Sequence, residues 1–188
     1  MASTNDFRVG AVLRMDGDLF MIEEYTHRTP GNLRAFVQAK MRSLKSGNLK
    51  EVRFRSGEDV EMVRLDKKSY QFLYREGTDF VFMDTENYEQ INVAEKVVGI
   101  AAKFMKESEN LDIVFAEDGT IISVEPPTFV ILEITQTDPG VRGDTATGGT
   151  KPATVETGAV VNVPLFLNEG ERIKIDTRTG QYLERVKS

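Results

Sequence analysis

The chain contains no cysteine and no tryptophan, and His27 is its single histidine. Without cysteine there can be no disulfide, iron–sulfur cluster, thiolate zinc site or cysteine nucleophile, and one histidine excludes every multi-histidine metal constellation. Long apolar runs are missing too. No stretch approaches the roughly 18 uncharged apolar residues that a membrane-spanning helix needs, and Asp6 interrupts the opening Met1–Phe7 where a signal peptide would require an apolar segment. The expectation is a cytoplasmic protein with no membrane partner. No GxxxxGK[ST] phosphate-binding loop occurs, so nucleotide hydrolysis is not expected either. Paired carboxylates such as Glu23–Glu24 or Glu58 with Glu61 could be nominated for a hydrolase, but no supporting constellation accompanies them.

What is present reads as folded and β-rich. Of 188 residues, 40% are apolar and 29% charged, a balance typical of globular domains and unlike disordered or collagenous chains. Strand-like runs occur at 11–15, 19–25, 35–44, 52–54, 70–74, 80–83, 113–115, 120–124, 129–134, 159–164 and 172–175. Turn dipeptides such as Asp16-Gly17, Glu76-Gly77, Asp118-Gly119 and Thr179-Gly180 punctuate them. Short strands at this spacing predict barrels. Val93, Val97, Ile100 and Phe104 recur instead at helical spacing behind Asn92, with Glu95 placed as in a capping box. A short helix plugging one end of the middle barrel is expected there.

Charge divides the chain. Residues 1–65 carry 11 basic and 9 acidic residues, 66–128 carry 6 and 13, and 129–188 carry 7 and 8, giving +2, −7 and −1. This segregation, with the stiff Pro126-Pro127 junction, predicts three barrels of about 60 residues, spanning 1–65, 66–128 and 129–188. Within the first, 28–55 holds Arg28, Arg34, Lys40, Arg42, Lys45, Lys50, Arg53 and Arg55 against Glu51 alone, a local +7. Such a segment can bind a polyanion even on a chain of net charge −6, because local potential governs counterion release.

The period of two puts Ala35, Val37, Ala39 and Met41 on one face of a returning strand and Arg34, Phe36, Gln38, Lys40 and Arg42 on the other. Same-face positions then fall roughly 6.5 to 7 Å apart, comparable to phosphate spacing along a nucleic-acid strand. Two readings fit: a strand that tracks phosphates, or the solvated outer face of a sheet. The polar stretch 26–33 should form a projecting loop, with His27 as a polar loop residue. A second long loop is expected at 138–153, where Gly143 and Gly148-Gly149 permit close backbone approach and Asp144 and Thr145 offer groups to base edges or ribose hydroxyls.

The run Lys151-Pro152-Ala153-Thr154-Val155-Glu156-Thr157-Gly158 through Val163-Pro164-Leu165-Phe166-Leu167-Asn168-Glu169-Gly170 resembles the signature of bacterial elongation factor P. The likeness extends to Asn5-Asp6-Phe7-Arg8, Pro30-Gly31 with Ala35-Phe36, Pro126-Pro127 and Asp176-Thr177-Arg178-Thr179-Gly180. It implies an all-β chain of one SH3-like, KOW-type barrel and two OB-folds in an L shape. It further implies a non-enzymatic, monomeric translation factor without cofactor. Such a factor enters the ribosome between the peptidyl and exit sites, positions peptidyl transfer RNA and relieves stalling at consecutive prolines. Ribosomal RNA, and messenger RNA at the exit site, are the further partners it implies. On this resemblance Arg28, Arg34, Lys40, Arg42, Lys45, Arg53 and Arg55 meet RNA, as do the Gly143-Asp144-Thr145 loop and the pair Tyr182 and Arg185. The hairpin tip Pro30-Gly31-Asn32-Leu33 would reach toward the peptidyl transferase centre. The family commonly carries a modified lysine or arginine at that tip; Asn32 has neither amine nor guanidinium, so an unmodified tip is expected. A divergent paralogue with another stalling-motif preference, and a free OB-fold binder of single-stranded RNA, are the alternatives.

Overall fold

The computed structural model describes residues 2–29, 31, 34–139 and 149–187, and is all-β. By contact density the chain forms two compact units, Met1–Asp66 with Phe115–Ile122, and Lys67–Val114 with Ser123–Ser188.

The first unit is built on an antiparallel meander. Strands β1 (Ala2–Ser3), β2 (Val12–Met15), β3 (Asp18–Arg28), β4 (Phe36–Ser43), β5 (Leu49–Arg55) and β6 (Asp59–Val60) give a four-stranded sheet in the order β2-β3-β4-β5, while β1 pairs with β6. Asp16 (φ 52°) and Gly17 (φ 76°) are both left-handed, as a two-residue type I′ turn between β2 and β3 requires. Alternation does the rest: Val37, Ala39 and Met41 point inward from β4 to meet Leu13, Phe20, Ile22 and Phe54. Phe7 closes this core, packing edge-on against Phe54 at 5.2 Å between ring centroids. The strand pairing extends further than the expected 19–25 run, because β3 continues to Arg28. His27 is therefore a strand residue opposite Val37, not a loop residue.

Strands β7 (Leu65–Glu76), β8 (Asp79–Asp84), β9 (Gln90–Ala94), β10 (Asn110–Ala116) and β11 (Ile121–Glu125) order as β11-β10-β7-β8-β9, most of this sheet belonging to the second unit and residues 115–122 to the first. Strands β12 (Phe129–Thr137), β13 (Thr150–Val155), β14 (Val160–Pro164), β15 (Arg172–Asp176) and β16 (Gln181–Val186) order as β14-β13-β12-β15-β16. Since β13 begins at Thr150, residues 150–153 belong to the sheet and not to the long loop expected there. Lys151 is accordingly buried, its Nζ donating to the Asp138 carbonyl at 2.6 Å.

The helical segment departs from expectation. Only Glu95–Val98 form α1, followed by a 3₁₀ turn at Gly99–Lys103. Asn92 is not a cap, because the residue preceding the helix is Ala94, which makes no side-chain cap bond, and Val93 lies in β9. Gly99, at φ 59°, ends the helix after four residues. Its consequence is felt elsewhere: Phe104, 2% exposed, lies in the core of the β12–β16 barrel among Val130, Leu132, Ile134, Ile173 and Ile175. The helix itself lies against β8 and β9 of the middle sheet, with Val98 buried, while Phe104 beyond it enters the last barrel. Thr157 Oγ1 donates to the Lys103 carbonyl at 2.6 Å, and Lys106 Nζ donates to the Ile131 carbonyl at 3.3 Å, pinning the same segment. Gly180 completes the socket, since a Cβ there would stand 3.3 Å from Phe104 Cζ, and its φ of 70° suits glycine.

Truncating Phe104 removes a ring from a filled core, for which the cost is about 3–5 kcal/mol. Urea unfolding of the Phe104→Ala variant should show a loss of that size. Gly180→Ala should also destabilise, through its left-handed backbone and the tight approach to Phe104; unchanged midpoints for both would contradict the socket.

Candidate nucleic-acid interface

Cross-strand register converts the basic segment into a patterned surface. Residues directly opposite in an antiparallel pair share a face, so the outer face of β3, β4 and β5 is read in rows: Arg28/Phe36/Arg55, Thr26/Gln38/Arg53, Glu24/Lys40/Glu51 and Met21/Arg42/Leu49. The first two rows, at the tip end of the hairpin, hold three arginines and no carboxylate. Arg34, exposed just before β4, joins them. The next row is different. Lys40 lies between Glu24 and Glu51, which offset its charge, and Glu51 also accepts from Gln38 Nε2 at 2.7 Å.

Arg42 is committed as well. The register of β3 slips between Ile22 and Glu24, and the residue in the slip, Glu23, accepts from Arg42 Nε at 2.5 Å. Arg42 Nη1 donates in addition to the Gly47 carbonyl at 2.8 Å. Lys50 reaches Asp16 at 3.6 Å, and Lys45 is exposed in the β4–β5 turn. The local +7 therefore overstates the available field, because folding brings Asp16, Glu23 and Glu24 from outside the counted window. Among the described residues Arg28, Arg34, Arg53 and Arg55 form no ion pair, so unpaired positive charge gathers toward the tip end, with Lys45 alone at the other.

There the surface is concave. Arg34, Ala35, Phe36, Arg53, Phe54, Arg55 and Ser56 line a groove of about 660 Å³. Arg53 lays its guanidinium 3.5 Å from the Phe36 ring centroid, a stacked cation–π contact. Ser56 Oγ lies 3.4 Å from His27 Nε2, and Glu58 accepts from the Arg55 backbone N–H at 2.7 Å. The Phe36–Arg53 stack and the Glu23–Arg42 pair were the elements that the one-strand reading missed. Period-two alternation of β5, combined with the turn at 44–48, carries the signal for the first; a bulge leaves none in a single sequence.

The hairpin tip is described only at Gly31, which is exposed; Pro30, Asn32 and Leu33 lie outside the described residues, as do Gly143, Asp144 and Thr145. The terminal pair is placed on β16. Tyr182 is half-buried against the core of its barrel. Arg185 Nη1 donates to Glu171 Oε1 at 3.0 Å and lies 5.9 Å from the exposed Phe166 ring. Glu171 also accepts from the Asn168 backbone N–H at 2.7 Å, and that bond, followed by the Arg185 contact, holds its carboxyl below the usual glutamate range.

Comparison with known proteins agrees with the signature run. Three family models match in sequence order: the elongation factor P KOW-like domain over residues 3–60, the elongation factor P OB domain over 65–124, and the elongation factor P C-terminal domain over 130–185. The chain belongs to the elongation factor P family. Elongation factor P of Chloroherpeton thalassium is 51% identical over 187 residues, covering all of both chains, and that of Roseiflexus castenholzii is 49% identical over the same length. Among solved structures, the protein described as eukaryotic translation initiation factor 5A from Methanococcus jannaschii superposes with a TM-score of 0.52 at 20% identity. The match covers 65% of this chain and 92% of that one, and shows a shared fold. An elongation factor P chain with a KOW-like domain and OB domains is a translation factor, in accord with the all-β architecture.

Two outcomes follow from the charge pattern. Each tip-end arginine should contribute to polyanion binding, so Arg55→Ala should reduce the slope of log affinity against log salt by about 0.7 to 0.9, measured on RNA. The double variant Arg42→Ala/Glu23→Ala removes a pair already neutral and should leave the slope unchanged. For Glu171 the depressed native value means that its stabilising contribution is fully present above the ordinary glutamate value and is lost as pH falls from there through the lower native value. Wild type should therefore exceed Glu171→Gln in stability at about pH 7, and the difference should shrink steadily as pH is lowered below the ordinary glutamate value of about 4.3.

Proposed function

We propose that this chain binds the ribosome between the peptidyl and exit sites, holds peptidyl transfer RNA and speeds peptide-bond formation at consecutive prolines. The observation that carries the reading is the segregation of Arg28, Arg34, Arg53 and Arg55 to one end of the β3–β4–β5 face, within a chain of this family. Among the described residues, a phosphate backbone laid along the hairpin meets guanidinium groups without ion pairs toward the tip, so the surface favours one end of its partner over the other. Tyr182, Arg185 and the Gly143-Asp144-Thr145 loop supply a second RNA contact in the last barrel. Three barrels at 1–65, 66–128 and 129–188 belong to this proposal.

Proline is a poor acceptor and a stiff donor, so its slow reaction is a failure of placement. Each roughly 1.4 kcal/mol removed from the barrier by better positioning gives about tenfold in rate. The factor acts as an entropy trap and supplies no acid, base or cofactor; peptidyl transfer remains the chemistry of ribosomal RNA, and the chain is not an enzyme. It works as a monomer in the cytoplasm. Asn32 acts unmodified, through an amide that both donates and accepts hydrogen bonds.

A triple-proline translation reporter tests this directly. Purified factor, made without any modifying enzyme, should restore full-length product, and Asn32→Ala should reduce rescue more than it reduces ribosome binding. Activity that appears only after co-expression with a modification system would contradict the unmodified tip.

A further inference from the structure

The tip-end groove has the makings of more than a phosphate cradle. Its base is a guanidinium already flattened onto an aromatic ring: Arg53 over Phe36 at 3.5 Å, with Arg53 exposed and Phe36 half-buried. In that posture the planar group has one face covered by Phe36 while its side chain remains open to solvent, and an unstacked nucleobase can lie on a guanidinium plane as it does on an aromatic side chain. Arg55 shares the row of Phe36, and Arg34 opens the strand beside it, so two further cations flank the same groove. Ser56 adds a hydroxyl at the rim. The volume of about 660 Å³ falls within the range of small-ligand sites and exceeds what a bare phosphate fills.

Paired RNA cannot use such a floor. In a duplex the base faces are occupied by neighbouring bases, and arginine is left with phosphates, 2′-hydroxyls and base edges but no face to stack on. We propose that the groove bounded by Arg34, Phe36, Arg53, Arg55 and Ser56 is a binding site for an unpaired nucleotide, its base stacked on the Arg53–Phe36 pair and its phosphates held by Arg34 and Arg55. This rests on the reading of the hairpin face as an RNA surface and gives that surface a preference: single-stranded over paired.

The test uses the full chain and two RNA hairpins of identical stem, one blunt and one with four unpaired 3′ nucleotides, titrated at several salt concentrations. Wild type should bind the extended probe more tightly, by about tenfold for one stacked base. Arg53→Lys keeps the charge and loses the plane, so it should bring the two affinities together while leaving the salt slope in place. Phe36→Leu keeps the apolar support and should have the same effect in weaker form. Equal affinity of wild type for both probes, or a preference that survives Arg53→Lys, would overturn the site while leaving the phosphate-binding surface standing. Failure of wild type to bind either RNA would remove that surface as well.

Discussion

The register of β3, β4 and β5 is the constraint on which the proposed interface depends. A slip by one residue would exchange the two faces of every strand involved. Val37, Ala39 and Met41 would leave the core, and Arg53 would lose its place beside the Phe36 row. The apolar alternation on the inner face therefore fixes which cations appear together on the outer one. Burial of these residues does not merely stabilise the sheet. It sorts charge along it, leaving arginines alone at the tip end and pairing them with carboxylates toward the base. The bulge at Glu23 is part of the same sorting, because an extra residue in one strand changes which side chain meets Arg42.

A second constraint operates in the other unit. A barrel of about 60 residues buries a modest share of its surface and is marginal alone. Here Phe104, delivered by the segment after β9, becomes part of the β12–β16 core, so the two sheets of this unit draw on common hydrophobic material. The buried Lys151 fits the same economy: its ammonium is satisfied by the Asp138 carbonyl, so a cation sits in the barrel wall without an unpaired polar group.

Much of this was legible in the residues. Strand positions followed from alternation and from glycine-marked turns, as with Asp16-Gly17, and of the inward set expected around β4, Val37, Ala39 and Met41 are core residues, whereas Ala35 precedes the strand and is half-buried. The helix was less legible for a definite reason. Val93, Val97, Ile100 and Phe104 share helical spacing, yet Val93 is in a strand, Ile100 is exposed and Phe104 is captured by a barrel distant in sequence. Periodicity reports which residues could share a face, and tertiary capture decides whether they do. The same limit applied to charge. A window from 28 to 55 counts neighbours along the chain, whereas electrostatics counts neighbours in space, and Glu23, Glu24 and Asp16 are near only after the sheet forms.

For the role proposed, rigidity matters as much as charge. Strand β3 runs for 11 residues, roughly 37 Å at about 3.4 Å per residue, and its first half is locked in the core while its last residues carry Arg28 beyond it. A hairpin anchored in this way has met its ordering entropy during folding, before any RNA arrives. Arginine suits such a support better than lysine. Its planar fork loses less freedom per hydrogen bond formed, and it can lie flat on Phe36 while still presenting charge. A flexible arm with the same number of cations would give the same counterion release and a similar salt dependence. It would not transmit a position, and position is what a slow reaction between stiff partners lacks.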